Sequence, residues 1–330
     1  MDRAGFTDIT MKTFKPPVLL RNPHIQSILS SAQPRKAVVR HRARGWIKHS
    51  QRHLFDCNGI TMEAFSNIVS GAERLCILIH GWEGSAESNY MLASCTAMLQ
   101  AGISVVRLNL RDHGNTHHLN RELFNSTRLE EVLLAQQAIQ QAFNHQQYFL
   151  CGFSLGGNFA LRSAADSSTG ISHQKVIAVC PVISPYLTMQ TLNTGPVIYH
   201  NYFAKKWKRS LQKKLIHHPA LGYQETLKDL YTLDDMNAYF VPNHTDYDDC
   251  DSYLNGYSVE GSRLQTLHCD THIISSADDP VILSAHLDRL KQSDRLTVEL
   301  SQYGGHCGFL ANYKLNSWLD TRLPELISLR

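Results

Sequence analysis

The glycine-flanked serine at position 154 is the residue whose surroundings point most directly to chemistry. It lies at the centre of the pattern Gly152-Phe153-Ser154-Leu155-Gly156. An apolar run typical of a strand precedes this pattern, and a small-residue segment typical of a helix follows it, which is the context that a nucleophile elbow requires. So tight a turn leaves no room for flanking side chains, and the two glycines provide that room. We therefore predict that Ser154 is a catalytic nucleophile; the alternative is an idle serine in a strand–helix packing turn.

Two loops near the carboxyl end of the chain carry the partners that a nucleophilic serine needs. A serine hydroxyl is a weak nucleophile, so it requires a base, and the base requires an orienting carboxylate. Asp278 and Asp279 follow one predicted strand, and His306 follows the next, among glycines. The chain order of serine, acid and histidine is the usual order for partners of an elbow serine. The residues thus predict a catalytic triad in which one of the two aspartates orients His306.

Backbone N–H groups are predicted to complete this machinery. Acyl transfer needs donors for the oxyanion that develops in the transition state. The N–H of Leu155 lies at the positive end of the helix that follows the elbow. The loop after the strand that ends near His80 is expected to supply the second donor, for which we favour the N–H of Trp82.

Alternating strand and helix patterns are expected to position these groups. Strand-type segments occur at 75–79, 103–110, 148–153, 175–180, 271–276 and 296–300. The first of them is continuously apolar, which is typical of a strand buried on both faces. Segments with helical spacing of apolar residues separate several of these strand-type segments. The alternation predicts an α/β class with a mostly parallel sheet and helices on both faces. Ligands of such sheets bind at the carboxyl ends of the strands, where the predicted catalytic loops lie.

Three segments fall outside this alternation. Residues 1–34 are predicted to form an N-terminal arm, with polar groups among apolar ones and a short helix at 25–29. Residues 35–53 are strongly basic, and we expect an edge strand or hairpin with a charged outer face. Residues 185–266 hold aromatic residues and helix-type stretches, which predicts an inserted helical cap over the strand ends. The basic cluster at 205–214 is expected to be a solvated helix face; contact with an anionic membrane surface or an anionic substrate is the alternative.

Composition limits the class of protein. A chain of 330 residues with 43% hydrophobic residues can build one large domain with an insertion. The net charge of +3 is small and spread out, so no nucleic-acid partner is predicted. The eight cysteines form no C-x-x-C pair, which favours buried free thiols in a reducing compartment. Because the chain has no apolar leader and no membrane-length apolar run, we expect a cytoplasmic protein. No metal or organic cofactor is expected.

Several motifs together resemble the YheT-like branch of the α/β-hydrolase superfamily. They are HGWEGS at 80–85, GFSLGGN at 152–158, the Asp-Asp-Pro triplet at 278–280, GGHCGF at 304–309 and RNPHIQSIL at 21–29. The resemblance implies an α/β-hydrolase fold, with a mostly parallel eight-stranded sheet and a helical cap insertion. It also implies that Ser154 is the nucleophile, that His306 is the base, and that Asp279 rather than Asp278 is the acid.

The same resemblance implies a serine carboxylic-ester hydrolase that acts on acyl or lipid esters through an acyl-serine intermediate. Its expected partner is a small acyl ester, and peripheral membrane contact is left open. Two positions depart from the family pattern: Trp82 replaces an aliphatic residue, and Arg111-Asp112-His113-Gly114 replaces Arg-Gly-Cys or Arg-Gly-Ser. The alternatives are a thioesterase or an acyltransferase that uses the same serine, and a non-catalytic binding protein with this fold.

Overall fold

A nine-stranded β-sheet organises the part of the chain that the computed structural model describes, residues 9–12, 14–168 and 170–328. In chain order, the strands are β1 (Ile9–Lys12), β2 (Gln51–Cys57), β3 (Ile60–Asn67), β4 (Arg74–Ile79), β5 (Ser104–Leu108), β6 (Gln147–Phe153), β7 (Lys175–Val179), β8 (Asp270–Ser276) and β9 (Leu296–Ser301). Their order across the sheet is β1-β9-β8-β7-β6-β4-β5-β3-β2.

The sheet is mostly parallel, as predicted. The pairs β2–β3 and β3–β5 are antiparallel, whereas the other six neighbouring pairs of described strands are parallel. Strands β2 to β9 are the eight expected strands. Strand β1 is an addition at the edge, where Ile9–Lys12 pairs with β9. The rest of the predicted N-terminal arm before it, residues 1–8, lies outside the described residues.

Eleven α-helices accompany the sheet in the described ranges. They are α1 (Pro23–Ser31), α2 (Gln33–Ala43), α3 (Asn89–Gln100), α4 (Leu129–Ala142), α5 (Leu155–Ala165), α6 (Pro185–Thr194), α7 (Val197–His217), α8 (Gln224–Asp229), α9 (Leu233–His244), α10 (Cys250–Gly256) and α11 (Leu319–Ser328). Helices α6 to α10 lie between β7 and β8, and we refer to them as the helical insertion. Nowhere in the described ranges does a helix combine the length and the apolar character needed to cross a bilayer.

The central strands are apolar along their whole length because helices cover both faces of the sheet. In β4, Leu75, Ile77 and Ile79 belong to the core that contains residues of α4 and α5. The intervening Cys76 and Leu78 belong to a second core that contains residues of α3 and α11. All five side chains are fully buried. Burial of an aliphatic side chain of this size contributes about 1.5–3 kcal/mol to folding stability. The central strands therefore form a stable support for the predicted site at their carboxyl ends.

The predicted edge strand or hairpin at residues 35–53 is wrong. Helix α2 occupies most of this segment, and β2 begins only at its end. Arg35, Val39 and Ala43 follow one another at intervals of four residues and are all buried, whereas Arg40 is exposed. This spacing is helical, and it buries one side of α2 against α3. The many charged residues of the segment suggest an exposed edge strand, but its buried residues recur every four positions, as in a helix.

Candidate active site

Ser154 lies at the turn between β6 and α5 in a backbone conformation that few residues adopt, with φ 54° and ψ −118°. Such a conformation costs about 1–3 kcal/mol and persists only where the surroundings hold it. A Cβ on Gly152 would overlap the backbone of Gly156, and a Cβ on Gly156 would overlap the carbonyl oxygens of Ile79 and His80. Both positions therefore admit only glycine, and the turn has the geometry predicted for a nucleophile elbow.

The structure brings the three predicted triad residues into one hydrogen-bonded row. His306 Nε2 lies 3.0 Å from Ser154 Oγ, and His306 Nδ1 lies 2.8 Å from Asp279 Oδ2. The other carboxylate oxygen of Asp279 accepts the backbone N–H groups of Val281 and Ile282, at 2.8 and 2.9 Å. Because the Asp279 carboxylate can only accept, Nδ1 carries the imidazole proton. In the neutral imidazole, the Nε2 lone pair therefore faces the serine hydroxyl, as a base requires.

Asp278 points elsewhere. Its Oδ1 accepts the backbone N–H of Gly305 at 2.9 Å. Gly305 directly precedes His306, so Asp278 supports the backbone of the histidine loop and Asp279 contacts the imidazole. Partial burial raises the pKa of the Asp278 carboxyl. Adjacent residues thus have separate structural roles because their side chains leave the strand end in different directions.

The charge state of His306 depends on two opposing influences. Burial disfavours the imidazolium, but the charges of the Asp279 carboxylate and of Cys307 favour it, and the balance raises the pKa of His306 to about 9. The imidazole side chain is 13% exposed, and the carboxylate is 2% exposed, so water screens their attraction little. The site is therefore arranged to stabilise a proton on His306.

The predicted oxyanion donors lie beside the elbow. A Cβ on Gly81 would be 3.0 Å from Ser154 Cβ, so the loop that contains Trp82 touches the serine. His80 fixes this loop: its Nδ1–H donates to the Gly81 carbonyl at 2.7 Å, and its Nε2 accepts the N–H of Leu110 at 3.1 Å. Leu155 is the first residue of α5. Leu155 thus directly follows Ser154, and Trp82 directly follows the glycine that touches it.

The Trp82 side chain faces the helical insertion. Its ring stacks on Phe203 of α7 with centroids 5.5 Å apart and planes at 10°, and it meets the edge of Trp207 at 5.4 Å. Pairs of this geometry contribute about 0.5–1.5 kcal/mol beyond their buried area. Trp82 therefore connects the loop beside Ser154 to α7. The YheT-like family, which the motifs resemble, usually has an aliphatic residue at this position.

Helix α1 supports the histidine loop, a role that is not predicted from the sequence. The N–H of His306 donates to Ser27 Oγ at 2.9 Å. The fully buried Gln26 accepts the N–H of Leu310 at 2.6 Å and donates to the carbonyls of Leu20 and Leu310. The sequence signal for this role is the alternation of polar and apolar residues in the RNPHIQSIL segment. The N-terminal arm therefore positions the backbone that carries the predicted base.

Helix α7 is anchored by a buried ion pair. Lys214 Nζ lies 2.6 Å from Asp112 Oδ1, and it also donates to the carbonyls of Asn120 and Glu122. The prediction that the basic cluster at 205–214 is a solvated helix face is therefore wrong for Lys214, which is fully buried. The neighbouring His113 donates from Nδ1 to the Arg111 carbonyl, and burial lowers its pKa to about 4. The Arg-Asp-His-Gly loop thus holds the insertion in place.

Two cysteines lie beside the row of three residues. Cys180, Cys307 and His306 place their potential metal-ligating atoms within 4.8 Å of one another. A hydrogen bond with Cys180 and the nearby His306 lower the pKa of the Cys307 thiol despite its burial. However, Asp279 and Ser154 already engage both nitrogens of His306. All eight cysteines are free and seven of them are buried, as the sequence predicts.

A cavity of about 740 Å³ opens over Ser154 and His306. Apolar and aromatic side chains from three segments line it: Ile28 of α1, the Trp82 loop, and Tyr199, Tyr202 and Phe203 of α7 are among them. His24 Nδ1 and Tyr199 Oη, 2.9 Å apart, join α1 to α7 across its wall. A space of this size can hold a small organic ligand with its reacting group at the serine.

Comparisons with known proteins agree with this architecture. A sequence model of the alpha/beta hydrolase family matches residues 76–315. YheT of Escherichia coli strain K12, whose name carries the term esterase, is 22% identical over 261 residues, 76% of each chain. A Dictyostelium discoideum protein described as abhydrolase domain-containing is 20% identical over 325 residues, 96% of this chain and 81% of its own length. The resemblance to YheT that the motifs indicate is confirmed.

Solved structures share the fold. The esterase Pf2001 of Pyrococcus furiosus superposes with a TM-score of 0.57 at 12% identity, covering 84% of this chain and 89% of its own. Est1E from Butyrivibrio proteoclasticus gives a TM-score of 0.53 at 17% identity, covering 84% of this chain and 97% of its own. The predicted fold class is confirmed, with β1 as a ninth strand at the edge of the sheet.

Proposed function

The chain belongs to the alpha/beta hydrolase family, and on that premise we propose that it is a serine carboxylic-ester hydrolase that cleaves acyl esters through an acyl-serine intermediate. One observation carries the proposal. The hydrogen-bonded row from Ser154 Oγ to His306 Nε2, at 3.0 Å, and from His306 Nδ1 to Asp279 Oδ2, at 2.8 Å, has the connectivity of a nucleophile, a base and an orienting acid.

In the first half of the reaction, Ser154 Oγ forms a bond to the ester carbonyl carbon. The hydroxyl proton moves to His306 Nε2, and the electron pair of the carbonyl π bond moves to the oxygen. Asp279 stabilises the imidazolium that forms, which is the state that its position beside Nδ1 favours. We assign the oxyanion to the N–H groups of Leu155 and Trp82, since both backbone segments lie against Ser154.

Collapse of this intermediate breaks the bond to the alcohol. The departing alkoxide takes the proton from His306 Nε2 and leaves as the alcohol, which leaves the acyl group on Ser154. Water then attacks the acyl-enzyme while His306 accepts its proton, and a second collapse returns that proton to Ser154 Oγ and releases the acid. The scheme needs no cofactor to balance its atoms and electrons.

We further propose that the helical insertion acts as the cap of this site and binds the acyl chain. Its helix α7 contributes Tyr199, Tyr202 and Phe203 to the cavity over Ser154. Anchoring of α7 by the pair of Lys214 and Asp112 keeps these rings close to the serine. Apolar contact with such a wall adds about 0.8 kcal/mol per buried CH₂ group of the substrate.

Labelling with a fluorophosphonate probe tests the proposed chemistry. The wild type is expected to form a covalent adduct, and Ser154→Ala is expected to form none. Ser31→Ala is a matched control, because it removes another hydroxyl that lines the same cavity, and it should be labelled like the wild type. An adduct on folded Ser154→Ala, or a folded wild type that neither reacts with the probe nor hydrolyses p-nitrophenyl esters, would refute the assignment.

A further inference from the structure

The cavity over Ser154 contains cationic side chains that the proposed ester hydrolysis does not use. Lys36 and Arg40 enter it from α2, and Lys206, Arg209 and Lys213 enter it from α7. The three residues of α7 are three or four positions apart, so they lie on one face of that helix. We call these five side chains the cationic row. They come from two segments far apart in sequence and face one space that also holds the proposed nucleophile.

The acidic side chains that line the same cavity leave most of this charge uncompensated. Asp112 is engaged by the buried Lys214, which is not part of the row. Glu87 lies 3.1 Å from both Arg40 and the buried Arg107, so it is shared between a residue of the row and another cation. The carboxylates of these two residues are therefore already occupied by partners.

The third acid, Glu83, is only partly ionised near neutrality. Burial raises the pKa of its carboxyl group to about 7, although Lys206 acts in the opposite direction. Lys206 itself donates to the Glu83 backbone carbonyl at 2.8 Å and lies over the Tyr202 ring. Lys213 donates to the Gly114 carbonyl at 2.8 Å. These neutral acceptors hold the ammonium groups in place without cancelling their charge.

Lys36 and Arg209 are the freest members of the row. Neither forms an ion pair with any residue in the described ranges. A cleft lined by one sign of charge between apolar walls attracts ligands of the opposite sign and concentrates them. A guanidinium also presents paired donors that match a carboxylate or a phosphate. The row thus has the chemistry of a receptor for an anionic group.

We propose that the ester hydrolysed at Ser154 carries an anionic group away from its scissile carbonyl, and that the cationic row binds this group. The proposal rests on the proposed function and names its substrate class: an acyl ester with a carboxylate, sulfonate, sulfate or phosphate. The placement of the row favours a substrate group over an anionic membrane surface. Its side chains line the same cavity as Ser154 and His306. One ligand in that cavity can therefore contact the cationic row and Ser154 at the same time.

Paired esters of equal length test the proposal. For an anion on the acyl side, mono-p-nitrophenyl glutarate is compared with p-nitrophenyl valerate. For an anion on the alcohol side, the butyrate of 4-hydroxy-3-nitrobenzenesulfonate is compared with p-nitrophenyl butyrate. Each kcat/KM is divided by the alkaline hydrolysis rate of the same ester. The selectivity ratio is this corrected kcat/KM of the anionic ester divided by that of its neutral partner. In at least one pair the ratio should be about ten or more, and added salt should reduce it.

Two double variants distinguish an effect of the cationic row from an effect of the protein's net charge. Lys36→Gln/Arg209→Gln is expected to reduce the ratio to about one. Lys48→Gln/Lys205→Gln removes the same charge from exposed residues that do not line the cavity and should keep the wild-type ratio. Equal loss in both double variants would assign the effect to net charge and would overturn the proposal.

The outcomes also distinguish failure of the anionic-substrate proposal from failure of the esterase proposal. A ratio at or below one in both wild-type pairs, with fluorophosphonate labelling intact, overturns the anionic substrate and leaves the esterase standing. The same ratio together with row-dependent binding to phosphatidylglycerol vesicles would identify a membrane-binding surface instead. Absence of labelling and of hydrolysis in the folded wild type would refute the esterase and, with it, the substrate class.

Discussion

Replacement of Asp279 by asparagine separates the proposed catalytic acid from its neighbour. Asp279 Oδ2 accepts the proton on His306 Nδ1, whereas an asparagine amide at that place would donate. The imidazole would then carry its proton on Nε2 and present it to Ser154 Oγ, so the base would lose its lone pair. We expect kcat to fall about 10⁴-fold, the size of effect that this tautomer produces in a related triad.

The same change should alter the pH dependence, and its direction follows from the charges. The pKa of His306 is raised from 6.5 to about 9, a difference equivalent to about 3 kcal/mol of attraction to its surroundings. Only the neutral imidazole can accept the serine proton, so wild-type kcat/KM should increase with pH up to about 9. In Asp279→Asn, burial acts without the carboxylate, so the pKa should fall below 6.5. The residual rate should then be flat above about pH 7.

The assay is kcat/KM for p-nitrophenyl butyrate, measured between about pH 6 and about pH 10 for the wild type, Asp279→Asn and Asp278→Asn. Asp278→Asn is a matched control, since its Oδ1 can still accept the Gly305 N–H. It should lose about tenfold or less and keep the rise toward alkaline pH. A larger loss in Asp278→Asn, or an unchanged pH profile in Asp279→Asn, would refute this assignment of the acid.

Three further predictions address the nucleophile, the cap and the anchor of α7. Ser154→Ala should lower ester turnover by about 10⁶-fold with an unchanged circular dichroism spectrum; near-wild-type turnover would exclude the triad. Among p-nitrophenyl esters, kcat/KM should rise up to about fourfold per CH₂ group from acetate and then fall. Phe203→Trp should move the optimum to shorter chains, and a flat series would exclude an acyl pocket there. Asp112→Ala, which leaves Lys214 unpaired, should lower the free energy of unfolding in urea by about 3–5 kcal/mol; no change would show that Lys214 finds another partner.

The parts of the site that depend on neighbouring residues in sequence could be predicted. Gly152 and Gly156 mark the elbow because their contacts lie within one strand–turn–helix unit and the adjoining strand. The ends of β8 and β9 are visible as apolar runs that stop at polar loops, which places Asp279 and His306 on the edge near Ser154. The choice between Asp278 and Asp279 is different. It depends on the direction of each side chain relative to an imidazole that enters from another loop, and only the family resemblance selected the second.

The parts that depend on distant residues could not be predicted. Gln26 and Leu310 are hydrogen-bonded across almost the whole chain, and no local pattern pairs them. Lys214 belongs to a run of basic residues that looks solvated, because its partner Asp112 lies about a hundred positions earlier. Helix α2 is hidden for another reason: the many charges of the segment predict an exposed strand, although the spacing of Arg35, Val39 and Ala43 is helical.

Helix α1 contacts both the loop of His306 and helix α7, which forms part of the cavity wall. Through Ser27 it holds the backbone of His306, at 2.9 Å, and through His24 it contacts Tyr199 of α7, at 2.9 Å. A shift of α7 that admits a larger acyl chain would therefore act on the same helix that positions the base. Because one helix carries both contacts, changes in the cavity wall are expected to alter kcat together with KM. The proposed chemistry follows from local motifs, whereas the proposed selectivity depends on α1, α2 and α7, segments that reach the site through long-range contacts.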